Sequence, residues 1–306
     1  MTLAQLRAFL AAHDAGTFSG AGAQLGISQA GVSELVARLE EEINARLFVR
    51  GRRLVATAAA DALLGHAKLS VTAADSGLEA IRAMQSLEGG VCTFGVLRNA
   101  AYYDLADLVH RFHEHYPGVR VRLVGLNSAV VAESIASGEL EAGLIVLPVT
   151  DTNLKLRPLL RDEVFFASAT REAIGPVTIE EFVRSKLILY DAYAGWADPT
   201  RRQLLERASL RGLPITPVIE VEHVETALSL VALGSGDTLV ANAIASGPAF
   251  PAAIRTYPFE PPLYDTLAIA TPAAVSLSPA TERIVQLVEA TLSARAERRR
   301  THATGP

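Results

Sequence analysis

Arg46, Arg50, Arg52 and Arg53 crowd into residues 46–53, a stretch with no acidic residue. Guanidinium groups at that density suit phosphate oxygens, which they meet as paired donors. Just before them runs Gly26-Ile27-Ser28-Gln29-Ala30-Gly31-Val32-Ser33-Glu34-Leu35-Val36-Ala37-Arg38-Leu39-Glu40. Ser28 stands where a helix cap belongs, and Gln29 opens the helix with Ser33 one turn on. Side chains at such an N-terminus meet base edges when the helix lies in a major groove. A short helix, a Ser-capped second helix and a basic hairpin, in that order, predict a winged helix-turn-helix on double-stranded DNA. The expected contacts are Ser28, Gln29, Ser33, Glu34 and Arg38 on the helix and Arg50, Arg52 and Arg53 on the hairpin. Glu34 repels phosphate but has the chemistry to accept a hydrogen bond from a cytosine amino group.

Other motifs lead nowhere comparable. His110, His113 and His115 are close in sequence, but His115 leaves the helix face shared by His110 and His113, and no second cluster completes a metal site. Gly20, Gly22 and Gly26 lack the spacing and the preceding strand of a dinucleotide loop. No Gly-x-Ser-x-Gly elbow occurs. The chain presents no catalytic set and no cofactor motif. An enzyme is the weakest of the readings.

The 306 residues predict two or three domains, and 50% apolar content is ample for their cores. The net charge is −5, yet residues 1–57 hold six basic and five acidic groups, a net of +1. A local basic spot is enough for phosphate contact, although so thin a spot calls for a dimer. One cysteine, Cys92, forms no internal disulfide, which suits a reducing compartment. No leader pattern and no apolar run long enough for a membrane are seen, so a cytoplasmic protein with no membrane partner is expected.

The elements that position these residues follow from periodicity. Leu3, Leu6, Phe9 and Leu10 predict a first helix ended by Gly16; Ser19 caps a second through Leu25; Val32, Val36 and Leu39 form the inner face of the third. Gly20 and Gly22 in the second helix point to close packing or a soft helix. Leu47–Val49 and Leu54–Ala56 make the hairpin arms. Thr57 caps a long helix to about Leu87, with Ala60, Leu64, Ala67, Val71, Ala74, Leu78, Ile81 and Gln85 in heptad order. That seam either pairs two copies of the chain or lays the helix on its own domain. Glu88-Gly89-Gly90 reads as a joint. From Val91 strands and helices alternate: Val91–Leu97, Asp104–Tyr116, Val119–Leu126, Ser128–Ser137 and Ala142–Leu147 read βαβαβ and predict a parallel sheet. A second set has strands at Val164–Ala167, Leu187–Tyr190, Val218–Val221 and Thr238–Ala241. Its helices are Pro199–Arg211, capped by Asp198, and Glu225–Leu233. Thr266–Thr271 and a terminal helix, Pro279–Glu297, close the chain.

The chain resembles the LysR-type transcriptional regulators. The matching residues run from Leu3-Ala4-Gln5-Leu6-Arg7-Ala8-Phe9 through Gly16-Thr17-Phe18-Ser19, Ser28-Gln29, Arg38-Leu39-Glu40, Leu47-Phe48-Val49-Arg50 and Thr57. Phe112, Tyr116-Pro117-Gly118-Val119 and Gly138-Glu139-Leu140-Glu141-Ala142-Gly143-Leu144 continue the match. Ala30, Glu34, Gly22 and Asn242 depart from it. The resemblance implies an N-terminal winged helix-turn-helix over 1–57, a dimerising linker helix over 58–90, and an effector-binding domain over 91–300. That domain is implied to be an α/β two-lobed unit of the type 2 periplasmic-binding-protein kind, with one lobe from 91–160 and 265–297 and the other from 161–264. A homodimer that pairs into a homotetramer is implied as well.

In open α/β sheets, ligands sit beyond the carboxyl ends of the strands, where helix N-termini favour anions. The loops there hold Arg98, Asn99, Ala100, Asn127, Ser128, Pro148, Tyr193, Trp196 and His223, so a small organic, anionic effector is expected. Several of these have a structural role open to them too: Ser128 as a helix cap, Asn99 as a turn former, Trp196 as packing, Arg98 in a salt bridge. Two functions follow: a ligand-responsive DNA-binding regulator, or a two-lobed sensor whose DNA reader Gly20, Gly22 and Glu34 have spoiled. Four arginines on an acid-free hairpin favour the first.

Overall fold

The computed structural model describes residues 1–49, 51, 53–85, 90–150, 153–172 and 174–303, with backbone alone at residues 80, 82–85 and 297–303. Arg50, Arg52 and the Glu88-Gly89 part of the expected joint lie outside the described residues. The chain divides into two compact units, the first built on Met1–Gln85.

The first unit runs α1 (Leu3–Ala15), α2 (Phe18–Leu25), α3 (Gln29–Glu42), β1 (Phe48–Val49), β2 (Val55–Ala56) and α4 (Ala58–Gln85). A capping box of Thr2 and Gln5 opens α1, and Gly16 ends it in the left-handed region at φ 63°. The cap of α2 is Thr17 rather than Ser19: its Oγ1 accepts the Gly20 N–H at 3.1 Å. Ser28 caps α3, accepting the Gly31 N–H at 3.1 Å. Gly22 is needed for contact, because a Cβ there would stand 2.7 Å from the Ile27 carbonyl oxygen. Phe9, Val32, Val36, Leu39 and Leu47 are fully buried between the helices and the hairpin.

Two polar residues fasten the wing. Glu40 is buried, and its Oε1 accepts the Leu47 N–H at 2.7 Å and the Phe48 N–H at 3.2 Å. Thr57 donates its hydroxyl to the Arg46 carbonyl at 2.7 Å and accepts the Ala60 N–H at 3.3 Å, joining the hairpin to α4. The heptad seam of α4 splits. Ala60 and Ala67 are buried on the unit's own core, with Leu64 and Val71 packed beside them. Leu78 and Ile81 are 55% and 59% exposed. The near half of the seam is thus an intradomain face.

The second unit begins with β3 (Val91–Leu97), α5 (Leu105–His115), β4 (Arg120–Leu126), α6 (Ser128–Ala136) and β5 (Ala142–Leu147). It continues with β6 (Leu154–Ser168), β7 (Val177–Thr178), α7 (Ile179–Arg184), β8 (Ile188–Leu189), α8 (Pro199–Ser209) and β9 (Ile219–Glu220). It ends with α9 (Val224–Ala232), β10 (Thr238–Ala241), α10 (Asn242–Ala245), β11 (Arg255–Pro272) and α11 (Pro279–Ala303). The main sheet is ordered β10-β6-β11-β5-β3-β4. β3 runs parallel to β4 and β5, as βαβαβ requires. The sheet is not parallel throughout, because β11 is antiparallel to both β5 and β6, and β10 to β6. The short runs Val164–Ala167 and Thr266–Thr271 are parts of β6 and β11, 15 and 18 residues long, which pair along their length with register shifts at Pro258/Leu263 and Leu267/Ala268.

These two strands pass through both lobes. One lobe packs Phe94, Leu144, Leu267, Ile284 and Val288 between β3, β5, β11 and α11. The other has two clusters, one around Phe166, Phe182, Leu204 and Phe259, the other around Val224, Leu228, Val231 and Val240.

Replacing Glu40 by Ala leaves two buried N–H groups without an acceptor, at about 1–3 kcal/mol each. Urea unfolding of the full chain is expected to show the N-terminal unit destabilised by Glu40→Ala and less so by Glu40→Gln. An unchanged midpoint for Glu40→Ala would remove Glu40 as the wing's anchor.

Candidate functional site

The reader is built from α2, the Gly26 turn and α3. Burial of Val32, Val36 and Leu39 turns the opposite face of α3 outward. Ser28, Gln29, Glu34 and Arg38 are exposed there, and Ser33 is half-buried. Ser28 spends an acceptor lone pair on its cap, leaving its hydroxyl proton for a phosphate. Glu34 pairs with Arg38 one turn on, so its charge is partly answered on the helix itself. Arg53 is exposed on the wing, and Arg46 beside it reaches Glu40 Oε2 at 3.3 Å. Gly22 is required by the fold and Glu34 is paired, so neither marks a degenerate reader.

The cleft lies where the loops after β3, β4 and β8 and the start of α8 meet β5, β10 and the middle of β11. Of the nine residues expected there, Arg98, Asn99, Asn127 and Ser128 line one cavity of about 30 Å³. The other five do not line it. Ala100 begins a 3₁₀ turn and packs on the lobe core. Pro148 is exposed, its carbonyl accepting from Arg202 at 3.1 Å. Trp196 is packing, with the Arg201 guanidinium 5.8 Å from its ring. Tyr193 is 83% exposed. His223 is exposed at the start of α9 without capping it. Neither does Ser128 cap its own helix: its Oγ accepts the Val146 N–H at 2.9 Å, while Asn127 Oδ1 accepts from Ala129 at 3.0 Å.

Tyr103, Tyr190, Asp191, Asp198, Thr200 and Asp265 also line it, with Leu97, Val146 and Ala241 as its apolar part, and none of these is expected from the sequence as a ligand contact. Their signal was faint, because Asp198 reads as a cap, which it also is: its Oδ1 accepts the Arg201 N–H at 2.8 Å. Asp191 and Asp265 are lone acids in or beside strands. Arg98 is committed. Its Nη1 lies 2.6 Å from Glu222 Oε1, and its Nε lies 2.8 Å from Asp191 Oδ1, too poorly aligned for a hydrogen bond. Asn127 donates to Asp198 Oδ2 at 2.8 Å. Tyr103 donates to the buried Asp162 at 2.8 Å, and the Thr200 hydroxyl donates to Asp265 Oδ1 at 2.7 Å. The one guanidinium on this wall is thus already held by two carboxylates.

Burial raises the three acids that line the cavity. It pushes Asp265 up to about 8 against the Thr200 hydrogen bond, with Asp198 and Asp162 adding to the rise. It pushes Asp191 up to about 6, helped by Asp198 and opposed by Arg98. Burial also raises Asp198, opposed by its hydrogen bonds from the Arg201 backbone and from Asn127. The only cysteine, Cys92, is buried away from this site, its thiol pushed up to about 12 by desolvation, so it is no reactive thiolate.

Residues 3–61 match the family described as bacterial regulatory helix-turn-helix protein, lysR family, and residues 85–293 match the LysR substrate binding domain. The HTH-type transcriptional regulator IlvR of Caulobacter vibrioides is 30% identical over 247 residues, covering 78% of this chain and 82% of that protein. BenM of Acinetobacter baylyi is 26% identical over 249 residues, covering 78% and 80%. Among solved structures, a full-length OxyR variant from Pseudomonas aeruginosa superposes with a TM-score of 0.71 at 22% identity, covering 95% of this chain and 94% of that one. Full-length CbnR in complex with its target DNA gives 0.63 at 18% identity, covering 95% and 100%.

Asp265 holds its proton more tightly folded than unfolded. Its contribution to stability is therefore whole below the ordinary aspartate value of 3.8 and is lost as pH rises through about 8. Denaturant unfolding between pH 5 and 9 is expected to show a steeper loss of stability in the wild type than in Asp265→Asn. Parallel curves would mean that Asp265 titrates normally.

Proposed function

We propose a division of labour for this chain, which belongs to the lysR family of bacterial transcriptional regulators. It is a ligand-responsive regulator and not an enzyme: the helix-turn-helix binds DNA and the substrate-binding domain senses a small molecule. Residues 1–57 form the reader, 58–90 the linker and 91–300 the effector domain, with lobes of 91–160 and 265–297 and of 161–264. Gln29, with Ser33, Glu34 and Arg38 further along α3, reads base edges. Ser28 and the wing residues Arg50, Arg52 and Arg53 hold phosphates. The protein works in the cytoplasm; no helix among the described residues is long and apolar enough to cross a membrane.

One observation carries the sensing role. Arg98, from the loop after β3, ties the loops after β8 and β9 together across a polar cavity. Asn99, Asn127 and Ser128 border that cavity. A ligand that prefers one arrangement of this clasp biases the lobes, and a tenfold change in DNA affinity needs about 1.4 kcal/mol of such bias. The exposed far half of α4 supports pairing of two copies through Leu78 and Ile81, and pairing of dimers gives the tetramer.

Footprinting on the chain's own upstream DNA tests the regulator directly. In the same assay, Gln29→Ala is expected to cost about 1–3 kcal/mol on the specific site and little on random DNA. Equal loss on both would make Gln29 a positioning residue.

Assembly is tested by Leu78→Asp with Ile81→Asp. These lie on the exposed half of the helix, so they spare the domain core, yet in a dimer they bury unpaired charge at a cost of several kcal/mol. Sedimentation is expected to find monomers that no longer footprint. A double variant that stays dimeric would move the interface elsewhere.

A further inference from the structure

The cavity between the lobes has more to accept with than to donate. Asp191 is buried and lines it, and its Oδ1 makes no hydrogen bond despite the nearby Arg98. Asp265 is buried too, and one of its oxygens accepts from Thr200. Asp198 brings a third carboxylate to the same wall. Several donors nearby are already engaged. Asn127 donates to Asp198, Thr200 to Asp265, and Arg98 is held by Asp191 and Glu222. A ligand that donates finds carboxyl acceptors here, and it is drawn by their negative charge.

We propose that this cavity receives the charged head of a small organic ammonium ion, so that the effector of this regulator is a cation. The proposal rests on the effector-cleft reading above and deepens it. An ammonium group has three donors and no acceptor, which matches the Asp191 oxygen that takes no hydrogen bond and the Asp198 and Asp265 carboxyls on the same wall. The volume of about 30 Å³ takes a head of one or two heavy atoms, while the rest of the molecule follows the cleft outward. A bare metal ion suits the wall less well: no group of three or more His, Cys, Asp or Glu among the described residues is disposed to hold one. Burial keeps the proton on Asp265 near neutral pH in the empty cavity. An arriving ammonium replaces that proton as the positive charge beside the carboxylate, and the proton leaves to solvent.

The full-length protein is titrated with butylammonium, butyrate and 1-butanol, and separately with potassium chloride at matched ionic strength. Thermal unfolding and calorimetry in two buffers of different ionisation enthalpy read the outcome. Butylammonium alone is expected to raise Tm and to release protons on binding. Asp265→Asn, an isostere of the protonated acid, and Asp191→Asn are each expected to weaken it at least tenfold while circular dichroism stays unchanged. Asp265→Asn is also expected to abolish the proton release.

An equal shift from potassium chloride, or no response to butylammonium, would overturn the proposal. Butyrate binding that Ser128→Ala abolishes would overturn the cationic head and leave the effector cleft standing. Butylammonium binding indifferent to both aspartate variants would place the cation elsewhere and overturn this site.

Discussion

A carboxylate taken out of water needs hydrogen bonds, a cation or a proton, and without one of these it costs several kcal/mol. The cleft wall takes out Asp191, Asp198 and Asp265, and Asp162, in register with Asp265, is buried with them. Each is answered from a different part of the chain. Asp162 takes the Tyr103 hydroxyl and the Ala243 N–H. Asp198 takes Asn127 and the first turn of α8, while Asp191 has Arg98 and Asp265 has Thr200. Because the donors sit on separate loops, satisfying the acids draws those loops together. Closure of the cleft is the geometric result of this electrostatic demand.

The same demand makes the closure adjustable. Arg98 and Glu222 keep some contact with solvent, so their pairing is partly screened. Asp191 keeps one buried oxygen without a hydrogen bond, which leaves a place for a ligand's donor. A ligand that supplies that donor stabilises one lobe arrangement over others. Only that difference between arrangements reaches the DNA-binding end, as linkage requires. The reader is built on the opposite principle. Its one deeply buried acid, Glu40, is satisfied by the Leu47 and Phe48 N–H groups, so the wing keeps a fixed place on α3.

Much of this was legible in the sequence where the signal was local. Ser28, Thr57 and Asp198 cap the helices that their types and places predicted, and Val32, Val36 and Leu39 face inward. Ser19 misled because Thr17, two residues earlier, has equal chemistry and a better position. β6 and β11 were seen only in part. Pro158, Pro258 and Pro261 and the charges around Asp162 break the apolar alternation, although pairing with register shifts tolerates them. In the cleft, Arg98, Asn99, Asn127 and Ser128 followed from the strand-end rule. The acids did not, because Asp162 and Asp265 lie 103 residues apart within strands and meet only through the pairing of β6 and β11. In the same way the sequence shows that Arg98 is a cation but not that Asp191 and Glu222 already hold it.

The central claim is that the state of the cleft sets the state of the DNA-binding end. Its most direct test is the affinity of the ligand-free full-length protein for its own upstream DNA, compared between wild type and Arg98→Met. Losing the guanidinium opens the clasp without touching any residue of the reader. The account predicts a change in specific affinity of about tenfold or more, with the salt dependence unaltered because no phosphate contact has changed. The same affinity in both proteins, with the cleft loops of the variant exchanging amide hydrogens faster than those of the wild type, would contradict it.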